Sequence, residues 1–282
     1  MKPSRKEEQL RAYYHTLHAR LGRQHWWPAR TRFEVIVGAY LTQNTSWTNV
    51  EIALRRLRAD RVLTLAGIRN TPSQELEELI RSSGYFRQKA ARLKTFVAFV
   101  DGRHNGSLAR MFSQPTETLR QQLLQLNGVG PETADSILLY AGQHPAFVVD
   151  AYTRRILERH RIVPAQSSYE EIRTLFERAL SQFIEHPMDV QNEGLRPSSR
   201  GVPSENGFRT RRPANSIRSY SNPPSAMSRA ARTELVQVYN EMHGLIVSVG
   251  KQYCLKSRAI CEACPLQQFL PHTGVWRFRK HP

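Results

Sequence analysis

Cysteine is nearly absent: 282 residues hold three, all between Cys254 and Cys264. That excludes a disulfide framework, and three thiols so close together suit a reducing compartment and a metal-type loop. Long apolar runs are missing too, so nothing spans a bilayer. The opening MKPSRKEEQLRAYY is basic and polar, without the hydrophobic region of a signal peptide. These absences lead us to expect a cytoplasmic protein with no membrane partner. Acid is the third scarcity. Asp and Glu number 24 against 41 Lys and Arg, a formal charge of +17 spread along the whole chain. An excess of this kind favours a polyanion, held with salt-sensitive affinity through counterion release. The length allows a full core, in one domain or two interlocked ones.

What is present is helical, and it centres on Leu126-Asn127-Gly128-Val129-Gly130-Pro131-Glu132-Thr133-Ala134. The preceding LRQQLLQL places apolar residues at helical spacing, Gly128 and Gly130 permit a turn with positive φ and bare backbone, and Pro131 suits a first helical turn. TADSILLYA continues as a second apolar-faced helix. A Gly-x-Gly turn opening a helix presents amides, and carbonyls that hold a cation, to a phosphate. An ordinary helical hairpin reads the same way.

Elsewhere the pattern predicts helices over Lys6–Leu21, Phe33–Tyr40, Trp47 onward with Ser46 as cap, Leu65–Arg69, Ser73–Ser82, Arg87–Val100, Ala151–His160 and Tyr169–Ile184. Thr116 is a candidate cap for the helix before the hairpin. Lys89, Arg92 and Lys94 read as a solvated basic face. Helix resumes at Ala230 and carries Tyr239–Val249, ending at Gly250. Residues 187–225, rich in Arg, Ser, Asn, Pro and Gly and without periodicity, read as a disordered insertion.

LNGVGPETADSILLYA followed by AFVVDAYTRRIL resembles the helix-hairpin-helix, Gly/Pro-rich loop and aspartate of the endonuclease III superfamily of DNA glycosylases. FEVIVGAYLTQNTSWTNVEIAL and SGYFRQKAARLKTF match two further blocks, and the likeness runs from about Phe33 to Arg161 and from Val238 to Pro265. The resemblance implies an all-α fold of two lobes with a DNA cleft between them. One is a six-helix-type domain over residues 28–142 ending in the hairpin. The other joins residues 1–27 to 143–282. It implies that Leu126, Gly128, Val129, Gly130 and Thr133 meet DNA, and that Gln43 enters the gap left by a flipped nucleotide; a Gln bonding within its own loop is the plainer alternative. Asp150 stands where the family carries its essential carboxylate, which stabilises oxocarbenium character at C1′ and orients water. As the residue before a helix it also reads as an N-cap, and the two roles are compatible.

Members that also cut the strand carry a Lys two positions after the second hairpin Gly; here that residue is Glu132, which forms no imine. The resemblance therefore implies a monofunctional enzyme, acting as a monomer on double-stranded DNA with a damaged base. His25-Trp26-Trp27-Pro28, the GYFRQKA block and VYNEMHGLIVSVGKQ look most like the 3-methyladenine branch. In that reading Trp26 and Trp27 stack on an extruded, cationic alkylated purine, with Phe86 and Lys251 facing the pocket. The alternatives are a Trp pair buried at a domain seam, a packed Phe86, and a Lys251 that only closes its helix. A glycosylase for mispaired thymine or oxidised pyrimidine, and a non-catalytic DNA-binding protein, remain open.

Cys254-x6-Cys261-x2-Cys264 reproduces three ligands of the family's [4Fe-4S] loop, and the fourth position holds Leu270. Three outcomes are compatible with this set: a cluster with His272 serving as the fourth ligand, zinc held by the three Cys and a His, or free thiols.

Overall fold

The computed structural model describes residues 3–185 and 221–271, and among these no strand occurs. The fold is all-α. Its centre is α2 (Arg32–Leu41), a helix apolar on every face and buried from Phe33 to Leu41. Ahead of it in sequence lies α1 (Arg5–Leu21), started by a capping box between Ser4 and Glu7. α2 packs on α3 (Trp47–Ala59) and on α6 (Phe86–His104), which also carries α4 (Leu65–Asn70), α5 (Ser73–Leu79) and α7 (Leu108–Phe112), and α8 (Thr116–Leu124) packs on a further neighbour of α2, α9 (Pro131–Ser136). The last continues as a π-helical stretch, Ile137–Gly142, buried over most of its length against α2.

A second group joins α1 to α10 (Ala151–Arg159), α11 (Tyr169–Glu185), α12 (Ala226–Arg229) and α13 (Glu234–Gln252). Here α13 is the buried member, packing on α1, α10 and α11 and touching the π-helical stretch of the first group. One continuous apolar core runs through both groups.

Several expectations are corrected. Ser73–Ser82 is not one helix: α5 stops at Leu79 and a 3₁₀ turn, Arg81–Ser83, follows. Thr116 is the first residue of α8 rather than its cap, its hydroxyl paired with His144 Nδ1 at 3.0 Å. Gly250 does not end its helix. It lies two residues inside α13, where the Tyr152 ring leaves no room for a Cβ, only 2.2 Å from it. Residues 187–220 of the expected insertion lie outside the described residues, but 221–225 belong to the fold. Asn222 donates to the Gln24 carbonyl at 3.2 Å, and Ser225 caps α12 while donating to the Trp27 carbonyl.

Lys89 is no solvated residue. It is fully buried, its ammonium donating to the Leu41 carbonyl at 2.9 Å and the Ser83 carbonyl at 2.7 Å. One cation thus holds the end of α2 against the turn before α6. Lys94 likewise donates to the carbonyls of Arg69 and Thr71.

The hairpin is fixed to the second group by a buried charge network. Arg120 of α8 donates to Asp135 of α9 at 2.7 and 3.2 Å, and to Glu170 of α11 at 2.6 Å. The Tyr169 hydroxyl donates to the same Asp135 at 2.8 Å and accepts from the Val149 amide at 3.3 Å. Asp135 has no access to water. Removing the guanidinium would strand that carboxylate, at a cost of about 3–5 kcal/mol. Arg120→Met is therefore expected to lower the unfolding free energy from urea titration by that much, and Arg120→Met with Asp135→Leu to recover part of it. A single variant as stable as the wild type would show that the pair does not hold the hairpin.

A candidate active site between the hairpin and Asp150

Asp150 closes the extended segment after the π-helical stretch and opens α10. Its Oδ1 accepts from the Thr153 amide at 2.8 Å and the Thr153 hydroxyl at 2.9 Å, so it is an N-cap. The cap pins one oxygen and leaves Oδ2 towards a cleft of about 710 Å³. His243 of α13 stands there with Nε2 3.6 Å from Oδ2, and its other nitrogen meets the Tyr140 hydroxyl at 2.5 Å.

Three indoles wall this cleft: Trp26, Trp27 and Trp47. Trp27 is buried, its ring edge-on to Trp47 at 5.2 Å and 5.2 Å from Tyr140. Trp26 is half-buried, 5.6 Å from Trp27, and carries the Lys251 ammonium over its ring at 5.5 Å. The structure thus brings Trp26, Trp27, Lys251 and Asp150 into one cleft. Phe86 is not among the residues lining it. Its ring packs half-buried in the first turn of α6, beneath the guanidinium of Arg81 at 4.7 Å and near that of Arg87 at 5.9 Å. This corrects its assignment to a base pocket.

Glu132 lines the same cleft and remains open to its solvent. Burial by the surrounding protein, then the negative charge of Asp150, push its carboxyl up to about 7, against the pull of Arg154. Lys251 at the rim is pushed down by burial, while Asp150 and Glu51 pull it back up.

The hairpin beside the cleft is braced from within. Only Gly128 has positive φ, +78°, whereas Gly130 is extended at −92°, which corrects the expectation of a left-handed pair. Gly130 is exposed, with open space where a Cβ would project. The Arg92 side chain lies against Gly128, where a Cβ would come within 2.0 Å of its Nε. Arg92 donates to Gln43 Oε1 at 2.8 Å. Gln43 Nε2 donates to the Gly128 carbonyl at 3.0 Å and to Thr133 Oγ1 at 2.9 Å. Gln43 therefore bonds to the hairpin and α6 rather than within its own loop. Thr133 and Val129 have buried side chains and Leu126 is half-buried, so all three support the turn from behind.

Sequence reasoning missed Trp47, Tyr152 and His243 as cleft residues. Tyr152 and His243 sit in the quoted blocks, but a lone aromatic or His at helical spacing reads as core. The chain's fourth tryptophan, Trp276, lies outside the described residues.

At the C-terminal end Cys254, Cys261 and Cys264 border one small pocket with Leu270, all three as free thiols. A [4Fe-4S] cluster needs four soft ligands. The fourth position of the motif is a hydrocarbon, and among the described residues no group of three metal-ligating side chains is placed to hold an ion. His272, the candidate fourth ligand, lies outside the described residues. The loop is fastened by arginines. Arg159 donates to Cys254 Sγ at 3.1 Å and to the Leu255 carbonyl at 2.9 Å, and Arg155 donates to the Cys254 carbonyl at 2.7 Å. Burial pushes the Cys264 thiol up to about 11.

A capped carboxylate beside a helix-hairpin-helix, at the mouth of an aromatic cleft on a strongly basic chain, defines a DNA glycosylase of the helix-hairpin-helix class. The chain belongs to the HhH-GPD superfamily of base excision DNA repair proteins, whose model matches residues 37–182. A putative DNA repair glycosylase of Methanocaldococcus jannaschii is 36% identical over 266 residues, covering 94% of this chain and 96% of that one. Among solved structures, a 3-methyladenine DNA glycosylase of H. pylori, bound to 1,N6-ethenoadenine, superposes with a TM-score of 0.63 at 24% identity, covering 88% of this chain and 97% of that one. A thermostable thymine-DNA glycosylase gives 0.59 at 15% identity, covering 93% and 95%. At these identities both show the fold alone. DNA is the partner, and no helix among the described residues is long and apolar enough to cross a membrane.

The raised Glu132 carboxyl predicts a pH effect. Below about 7 it is neutral, and above that it carries a charge that repels phosphate. Affinity for undamaged duplex, measured at constant ionic strength, is expected to fall more between about pH 6 and pH 8 in the wild type than in Glu132→Gln. Equal slopes would mean that Glu132 does not titrate beside the DNA.

Proposed function

We propose that the protein flips a damaged base, an alkylated purine, into the indole-walled cleft and hydrolyses its N-glycosidic bond without cutting the strand. The observation that carries this reading is the Asp150 carboxylate. One oxygen is tied down by the α10 cap and the other is open to a cleft whose walls are Trp26, Trp27 and Trp47. A flat base can stack on the face of such a wall, and a purine carrying positive charge is held by its π-system. As the bond from C1′ to the base nitrogen breaks, its electron pair leaves with the base. Asp150 stabilises the positive charge left on the sugar and accepts a proton from the attacking water, whose oxygen bonds C1′.

Glu132 supports hydrolysis over lyase chemistry, because a carboxylate forms no Schiff base. Gln43, at the hairpin edge, is the side chain we assign to the gap left by the flipped nucleotide. The hairpin backbone at Gly128 and Gly130 meets the phosphate. The chain acts as a monomer.

A second reading, glycosylase with strand cleavage, is favoured by one observation: the Lys251 ammonium lies in the cleft within the electrostatic reach of Asp150, depressed by burial. That is the setting of a nucleophilic amine.

The deciding experiment incubates the protein with methylated duplex, oxidised-pyrimidine duplex and a T·G mismatch, scoring base release before and after hot alkali and trapping with borohydride. Release from methylated DNA, strand breaks only after alkali, and no trapped complex are expected. Asp150→Asn is expected to bind duplex and lose release by at least about 1,000-fold. Breaks without alkali, with a complex that Lys251→Met abolishes, would establish the second reading instead. Wild-type activity in Asp150→Asn would remove Asp150 from the mechanism.

A further inference from the structure

His243 is a buried polar side chain in the cleft that neither the cap nor the indoles account for. Its side chain is 5% exposed, and Nε2 has no hydrogen-bond partner although it points at Asp150 from 3.6 Å. An imidazole nitrogen orphaned in this way costs about 1–3 kcal/mol, so its retention calls for a partner during the working cycle.

The protons around the ring can be assigned. Burial, followed by the charge of Asp150, holds the Tyr140 phenol well above its usual range, so its oxygen keeps the hydrogen. Burial also holds the His243 imidazole below its usual range, with Asp150 opposing, so the ring is neutral. A neutral ring carries one proton. With the phenol 2.5 Å from Nδ1, two arrangements exist. If Nδ1 carried the proton, the bare lone pair of Nε2 would face the carboxylate and repel it. If the phenol donates to Nδ1, the proton sits on Nε2 and points at Asp150. Only the second turns a donor, rather than a lone pair, towards the acceptor oxygen of Asp150.

We infer that His243 is the positioning residue of Asp150: locked by Tyr140 as the Nε2–H tautomer, it donates to Oδ2 when a bound nucleotide displaces solvent from the cleft. The inference rests on Asp150 being the working carboxylate. Thr153 already fixes Oδ1. A donor on Oδ2 stops the carboxylate turning about its last torsion and faces its plane to C1′. The present 3.6 Å is too long for a hydrogen bond and short enough to close with a small rotation of the carboxylate. Because the donor is neutral, it orients Asp150 without cancelling the charge that the reaction uses.

The test pairs single-turnover base release with histidine ¹⁵N spectra of the full chain. Wild type is expected to show a neutral Nε2–H ring that disappears from the spectrum of His243→Gln. His243→Leu is expected to release base about 100-fold more slowly, the penalty of a misplaced reacting group, with unchanged duplex affinity. His243→Gln, whose amide can present an N–H near the same place, is expected to recover at least about tenfold of that loss. Tyr140→Phe is expected to let both tautomers appear and to slow release by about tenfold. An Nδ1–H ring in the wild type, a folded His243→Leu with the wild-type rate, or a His243→Gln no better than Leu would each overturn the inference. If His243→Leu does not fold, the wild-type tautomer and the Tyr140→Phe rate decide. The spectrum needs no substrate, so a wild type inert on every duplex would overturn the proposed function while leaving the tautomer assignment to be judged by itself.

Discussion

Everything at the site depends on a buried carboxylate that does no chemistry. Asp135 is ligated by Arg120 and by the Tyr169 hydroxyl, and that hydroxyl also receives the amide of Val149, the residue before Asp150. Three hydrogen-bonding steps therefore join the hairpin helix α8, the helix α9 that follows the turn, and the segment that delivers the catalytic candidate. A pair this dry adds little net stability over well-packed hydrocarbon, but it is intolerant of misalignment. In this chain it sets the separation between the place where a phosphate would sit and the place where C1′ would arrive.

The cleft combines opposed demands on charge. Two carboxyls, Asp150 and Glu132, share it with the Lys251 ammonium, and the carboxyl of Glu132 is displaced upward while Asp150 is kept as a cap acceptor. Different environments thus act on two chemically similar groups within one site. Lys251 occupies a face of Trp26 that a cationic base would also seek. A base entering on that face must displace the ammonium.

The readable parts of the sequence were the local ones. The hairpin, the Ser46 and Asp150 caps and the course of α2 follow from spacing within a dozen residues, and the structure has them where the pattern put them. Lys89 was misread because it stands in one basic run with Arg92 and Lys94. What buries it is the end of α2, 48 residues away in sequence. Gly250 looked like a helix stop, but the reason for a glycine there is the ring of Tyr152 on another helix. His243 and Trp47 carried no periodic signal of function at all. Their place is defined only once α13, α3 and the 24–29 segment converge. Phe86 failed for the opposite reason: its block was recognisable, and the expectation followed the block rather than the direction of the side chain.

Gln43 has a consequence for how DNA is searched. Its amide already makes three hydrogen bonds, one from Arg92 and two to the hairpin, so it cannot enter a duplex without giving all of them up. In the gap-filling role proposed for Gln43, the bonded side chain is a retracted one, and insertion would have to break its contacts with α6 and the turn together. A lesion that has loosened its own stacking lowers the duplex side of that exchange, while a sound base pair does not. On the proposed function, part of the discrimination between damaged and normal bases would then fall before any base reaches the indoles, as a difference in how often Gln43 is released.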